Sequence, residues 1–234
     1  MNLLKRNLKY DFMIDSFLRA LSETFSAYNT FGARSTKKLL PIHLWFAEVI
    51  AHKLGAGYSV RSLGKDGEVV LSGKYYPKAL DISILKGEKV IATISFKFVT
   101  SNYKQNSNNY FENLLGETAN IRRMNVGFAH FLVLRGHTPY YDKNKGNLRG
   151  QETKIEVLKE NDLFKYVKLF YDEDFPHKPD VLGMAIVDFT SDGAAHLNNL
   201  EEFALSDETK IVLERQLALG EFIEKVAALC RLKS

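Results

Sequence analysis

The 234-residue sequence holds a single cysteine, Cys230. One cysteine excludes an internal disulfide and every zinc pattern built from several thiolates. The phosphate-cradling patterns GxxxxGK(S/T) and GxGxxG are absent, and so is the GxSxG elbow of serine hydrolases. The six histidines (His43, His52, His130, His137, His177 and His196) are scattered, without HExxH or comparable spacing, and read as core or surface side chains. No internal repeat or low-complexity tract appears. The opening stretch MNLLKRNLKYDFMIDSF breaks its apolar positions with charges, which predicts neither a secretory signal nor a membrane span and leads us to expect an intracellular protein. What is present is a globular composition, 45% hydrophobic and 26% charged, enough to bury a sizeable core. The net charge of +4 permits a polyanionic partner without demanding one.

Apolar positions at Phe12, Ile14, Phe17, Leu18, Leu21 and Phe25 predict a first helix over residues 8–28. A basic loop with Arg34, Lys37 and Lys38 follows, and Pro41 opens a strongly apolar second helix, PIHLWFAEVIAHKL, whose one acid is Glu48. YSVRS and EVVLS, separated by Gly-Lys-Asp-Gly, predict a hairpin. In residues 78–85, alternation places Leu80, Ile82 and Ile84 on one face and Ala79, Asp81 and Ser83 on the other. After the turn Lys86-Gly-Glu-Lys, the next strand places Ala92, Ile94, Phe96 and Phe98 against Thr93, Ser95 and Lys97. Residues 101–109 read as a polar loop and 109–124 as a helix buried along Phe111, Leu114, Leu115, Thr118 and Ile121. GFAHFLVLR is a further strand, residues 136–151 a loop, KIEVL a strand, LFKYVKLF a helix and 178–189 another strand. One long helix is expected from about Ser206 to Leu232. Strands flanked by helices predict one α/β domain over residues 1–234 with a mixed central sheet, its core over about 41–135 and further strands and helices over 151–234.

The chemistry concentrates on that central strand pair. If the strands pair, Asp81 and Lys97 share a face, a combination that suits metal-dependent phosphodiester hydrolysis. Mg²⁺ takes oxygen ligands from one or two carboxylates, and a neighbouring lysine orients water or stabilises charge on the phosphate. A second acid is then expected. In the helix NNYFENLLGETANIR the acids Glu112 and Glu117 lie about 140° apart, so one site uses only one of them. Glu117 borders the apolar stripe, whereas Glu112 is nearer in sequence to the strand. Both can equally be solvated and paired with Arg122 or Arg123. Glu48 has two readings as well, a rim residue paired with Lys53 or Arg61, or a carboxylate leaning over the site.

KALDISI followed by ATISFKF resembles the active-site hairpin of PD-(D/E)XK nucleases, and the Ser95-Phe96-Lys97 form with an Asn/Glu-rich helix after it resembles a type II restriction endonuclease. The likeness covers roughly residues 45–133. Leu80 stands where the family has proline, and Ser95 stands where it usually has an acid. The resemblance implies a restriction-endonuclease-like fold and Mg²⁺-dependent hydrolysis of double-stranded DNA at a specific sequence. It implies Asp81, the Phe96 carbonyl and a helix acid (Glu117 or Glu112) as metal ligands, Lys97 as the water-activating lysine, and assistance from Glu48. It also implies a homodimer, a cognate DNA methyltransferase as genetic partner, and a bacterial or archaeal cytoplasm. Candidate DNA contacts are Asn102, Lys104, Asn113, Lys143, Lys145 and Arg149, the last three in the basic loop behind Tyr140 and Tyr141. Asn113, Gly116 and Asn120 form a polar strip along one helix face. The alternatives are a repair, nicking or junction-resolving nuclease of the same fold, or a non-catalytic DNA-binding protein in which Ser95 marks a decayed site.

Overall fold

Two-residue alternation in the middle of the chain builds a sheet with a core on each side. The computed structural model describes residues 2–32, 35–141 and 152–234, with backbone alone over 2–9. Its elements are α1 (Asn2–Phe31), a 3₁₀ turn (Thr36–Leu39), α2 (Leu40–Leu54), β1 (Ser59–Ser62), β2 (Val69–Leu71), β3 (Lys78–Leu80), β4 (Ile82–Lys86), β5 (Lys89–Val99) and α3 (Tyr103–Arg122). These are followed by β6 (Gly127–Arg135), β7 (His137–Tyr141), β8 (Glu152–Val157), α4 (Glu160–Tyr171), β9 (Val181–Phe189), β10 (Ala195–Leu197), α5 (Asp207–Ile211) and α6 (Leu219–Leu232). The main sheet runs β1-β4-β5-β6-β9-β10. β5, β6 and β9 are parallel, and the other neighbours are antiparallel, so the protein has a mixed central sheet flanked by helices.

On one face α1, α2 and α6 close over an aromatic core. Phe131 sits 5.8 Å from Phe17, 5.3 Å from Phe46 and 4.9 Å from Phe222, measured between ring centres. On the other face α3 and α4 bury Leu114, Ile121, Leu163 and Tyr166 against Phe128 and Leu132 of β6. β4 and β5 meet in a two-residue turn, Gly87–Glu88, between the paired Lys86 and Lys89. Gly87 takes φ +61°, the left-handed conformation that such a turn needs.

Five expectations are corrected. YSVRS and EVVLS do not pair with each other: β1 joins the edge of the main sheet beside β4, while β2 pairs with β3 in a separate two-stranded sheet. The strand expected over 78–85 breaks at Asp81, so Leu80 leaves the face of Ile82 and Ile84 and enters the second core. Helix α3 begins at Tyr103, inside the stretch read as polar loop, because Tyr103 is buried and its hydroxyl donates to the Asp162 carbonyl. The C-terminal helix is interrupted: after α5 comes a π-helical turn, Val212–Gln216, and then extended backbone at Ala218. The buried Leu217 accepts a hydrogen bond from the backbone of Met184 there, so the chain stops to dock on β9 before α6 begins. β7 also occupies part of the segment read as loop.

Candidate active site

The break at Asp81 makes the site. β4 reaches only to Ile82, opposite Ile94 of β5, and one step further the Asp81 side chain replaces the strand. Its Oδ2 accepts the Phe96 backbone N–H at 2.9 Å. Because the N–H and C=O of one strand residue point to the same side, the Phe96 carbonyl also points toward Asp81.

The same break reverses the alternation. In an unbroken strand Lys78 would share the face of Ile82 and Ile84, whereas here it reaches the α3 side and pairs with Glu117, Nζ to Oε1 at 3.3 Å. Glu117 borders the buried stripe of α3 between Leu114 and Ile121, with Ser95 of β5 close enough to favour its charged form. An acid from the helix thus stands next to Ser95 of the strand. Lys97, two residues beyond Ser95, lies with its ammonium 4.9 Å from the centre of the Tyr110 ring. Asp81, Glu117, Lys78, Ser95 and Lys97 therefore converge where the strand pair opens under α3.

Burial holds the Asp81 carboxyl above its ordinary range, against the Phe96 N–H, Lys78 and Lys97. Burial likewise raises Glu117, and the Asp81 charge adds to it, opposed by Lys78 and by the Ser95 hydrogen bond. Burial alone would depress Lys78, but the Glu117 and Asp81 carboxylates outweigh it and keep it charged. Lys97 is lowered, first by partial burial and then by Lys38 and Lys78. Two carboxylates pushed toward protonation form a site that favours a cation. Among the described residues no cluster of three or more His, Cys, Asp or Glu side chains converges. Such a cluster would suit zinc. Two carboxylates and a backbone carbonyl suit Mg²⁺, which completes its shell with water and substrate oxygens.

The other predicted residues lie elsewhere. Glu112 is exposed on α3 and feels Lys165 of α4 rather than Asp81. Glu48 is exposed on α2, which packs on the opposite face of the sheet, and it is not among the electrostatic partners of Asp81, Lys97 or Glu117. Its suggested partner Lys53 pairs with Glu224 instead. Asn102 is a structural clasp: it is buried, donates from Nδ2 to the Tyr141 carbonyl and accepts the Tyr141 N–H. Lys104 pairs with Asp162 at 3.3 Å. Asn113 is exposed, but the strip it was to share breaks up, since Asn120 is fully buried and binds the backbone at Tyr75 and Tyr76. Lys143, Lys145 and Arg149 lie outside the described residues.

Four residues near the site were not singled out from the sequence. Lys78 was hidden by the change of face at Asp81. His130 pairs with Ser95 across β5 and β6, is 6% exposed, and is held neutral, its pKa lowered to about 3 by burial and then by Lys97 and Lys78. Lys38 and Tyr28 come from the far side of the α1–α2 connection, a proximity no local pattern encodes; Lys38 lies 5.5 Å from the Tyr28 ring centre and acts electrostatically on Lys97. A cavity of about 380 Å³ lies away from this site, at the ends of β6 and β9, lined by Arg135, His137, Asp188, His196 and Asn198 among others. Its Asp188 carboxylate is saturated by the His137 N–H and ring, Asn198 and Arg135, so it acts as a brace. Compared with models of protein families, with curated proteins and with solved structures, the chain matches none.

Proposed function

We propose that the chain is a Mg²⁺-dependent type II restriction endonuclease that hydrolyses phosphodiester bonds of double-stranded DNA at a specific sequence. The observation that carries this reading is Glu117, delivered by α3 to Ser95 and beside Asp81, at the place where the strand lacks its acid. The mixed central sheet, with Asp81 and Lys97 at the opening of its antiparallel pair, is the setting that a restriction-endonuclease-like fold requires.

Asp81, Glu117 and the Phe96 carbonyl would hold Mg²⁺. Bound there, Mg²⁺ supplies charge neutralisation at the phosphate and lowers the pKa of an attacking water. The chain's own part falls to its lysines. Lys97, with its proton loosened by burial and by Lys38, orients the water and offers charge to the phosphate oxygens. Tyr110 fixes the ammonium between those tasks. Cutting both strands with one site per chain calls for a two-fold homodimer, and a cognate methyltransferase would protect the host DNA.

Plasmid DNA incubated with the protein and Mg²⁺ tests this reading. Discrete double-strand fragments are expected, with Asp81→Ala and Lys97→Ala each reducing the rate by roughly two to three orders of magnitude. Nicking or branch-dependent cutting would place the protein among repair or junction nucleases. DNA binding without cleavage, or cleavage that survives both substitutions, would remove the catalytic assignment.

A further inference from the structure

We infer that Lys78 is the resident counter-cation of the Asp81–Glu117 pair, so that a divalent cation enters only by displacing its ammonium, which then becomes a contact for the substrate phosphate. The inference rests on the proposed reading of Asp81 and Glu117 as metal ligands.

Lys78 is the cation that Glu117 holds, at 3.3 Å, and its charge also acts on Asp81. One ammonium therefore serves two carboxylates, which is the electrostatic task of the metal. The ammonium cannot do it as well. A doubly charged ion at the same distance interacts twice as strongly with each carboxylate, and it binds both through direct oxygen contacts. The Lys78 side chain is 34% exposed while that of Glu117 is 16% exposed, so the lysine has a route outward and the acid does not. A flexible four-carbon stem carrying a compact charge suits an exchangeable ligand, whereas an arginine fork would lock onto the carboxylate. Lys97 differs, since it rests on the Tyr110 ring and makes no ion pair in the described structure. The two lysines thus have separate anchors.

The pair is prearranged by the backbone. Asn120, three residues after Glu117 on α3, accepts the N–H of Tyr75 at 2.8 Å and donates to the Tyr76 carbonyl at 3.0 Å. The Asn120 carbonyl accepts the Lys74 N–H at 2.9 Å. Gly73 turns into this segment with φ +67°, and a Cβ there would stand 2.3 Å from the Tyr76 carbonyl oxygen. The segment that leads to Lys78 is therefore fastened to the helix that carries Glu117.

The test is Mn²⁺ binding to DNA-free protein, read from the electron paramagnetic resonance of free Mn²⁺. Lys78→Met is expected to bind Mn²⁺ about tenfold more tightly than the wild type, and Asp81→Asn to lose binding. In the wild type, acetylation of Lys78 followed by mass spectrometry should accelerate severalfold when Mn²⁺ is added, a readout that does not depend on a variant folding. If Asp81→Asn abolishes binding but Lys78→Met binds no more tightly and the acetylation rate of Lys78 is unchanged, the counter-cation role is overturned while the metal site stands. If the wild type binds no Mn²⁺, or Asp81→Asn and Glu117→Gln bind as it does, the metal site and this inference fall together.

Discussion

At the scale of single residues, burying two carboxylates side by side imposes a cost that varies with pH. Asp81 titrates above its ordinary value of 3.8 because burial penalises its charged form. A carboxyl whose pKa is higher folded than unfolded binds its proton more tightly in the folded state. Its contribution to stability is therefore greatest at low pH and is lost as the pH rises from 3.8 through the raised folded value. Asp81→Asn removes the charge yet keeps an oxygen that can accept the Phe96 N–H. Measured by thermal melting in chelator, the variant should match the wild type near pH 4 and melt above it at pH 8. A gap that does not widen with pH would mean that Asp81 is not held in this way. Metal should narrow the gap, since it stabilises only the protein that keeps the carboxylate. That Glu117 borders the apolar stripe, beside Tyr110 and Ile121, can be read from the sequence, but the same reading leaves Glu112 as an alternative acid. Lys78 was not legible, because two-residue alternation holds only while the strand is unbroken.

At the scale of elements, what could be read ahead was periodicity, and what could not was pairing. β4, β5 and β6 follow from alternation or unbroken apolar runs, and α2 and α3 from their buried faces. β3 stands no further from β2 in the chain than β1 does, so local spacing does not choose between them, and the pause at Leu217 before α6 depends on Met184, far away in the chain. Polar side chains that brace backbone are the hardest to foresee. Asn102 and Asn120 look like surface amides, yet both are buried and spend their hydrogen bonds on main chain 39 and 44–45 residues away. Asn120→Ala strips partners from the segment between Gly73 and Lys78. Leaving such groups unpaired costs about 1–3 kcal/mol, and each kcal/mol is worth roughly 2–4 °C in Tm for a chain of this length. A thermal melt should show that loss, with limited proteolysis opening first between residues 72 and 78. An unchanged melt would mean that the segment is held by other contacts.

At the scale of the whole molecule, β5 joins the two halves of the design. The Phe96 side chain packs into the aromatic core, 5.5 Å from Phe46, while its backbone N–H holds Asp81 on the site side. The core that α1, α2 and α6 complete thus fixes the strand on which the site is built. The 3₁₀ turn between α1 and α2 carries Lys38, whose charge acts on Lys97, as does the charge of Lys78. A net charge of +4 over the chain says little about a polyanion, but three ammonium groups near enough for two to lower the third say more. Each lysine that meets a DNA phosphate releases counterions and adds about 0.9 to the slope of log affinity against log salt. Lys38 is not among the groups that shift Asp81 or Glu117, so Lys38→Ala should leave Mn²⁺ binding unchanged. It should weaken DNA binding measured in Ca²⁺ and lower that slope by about one. A slope equal to that of the wild type would take the α1–α2 connection out of the DNA interface.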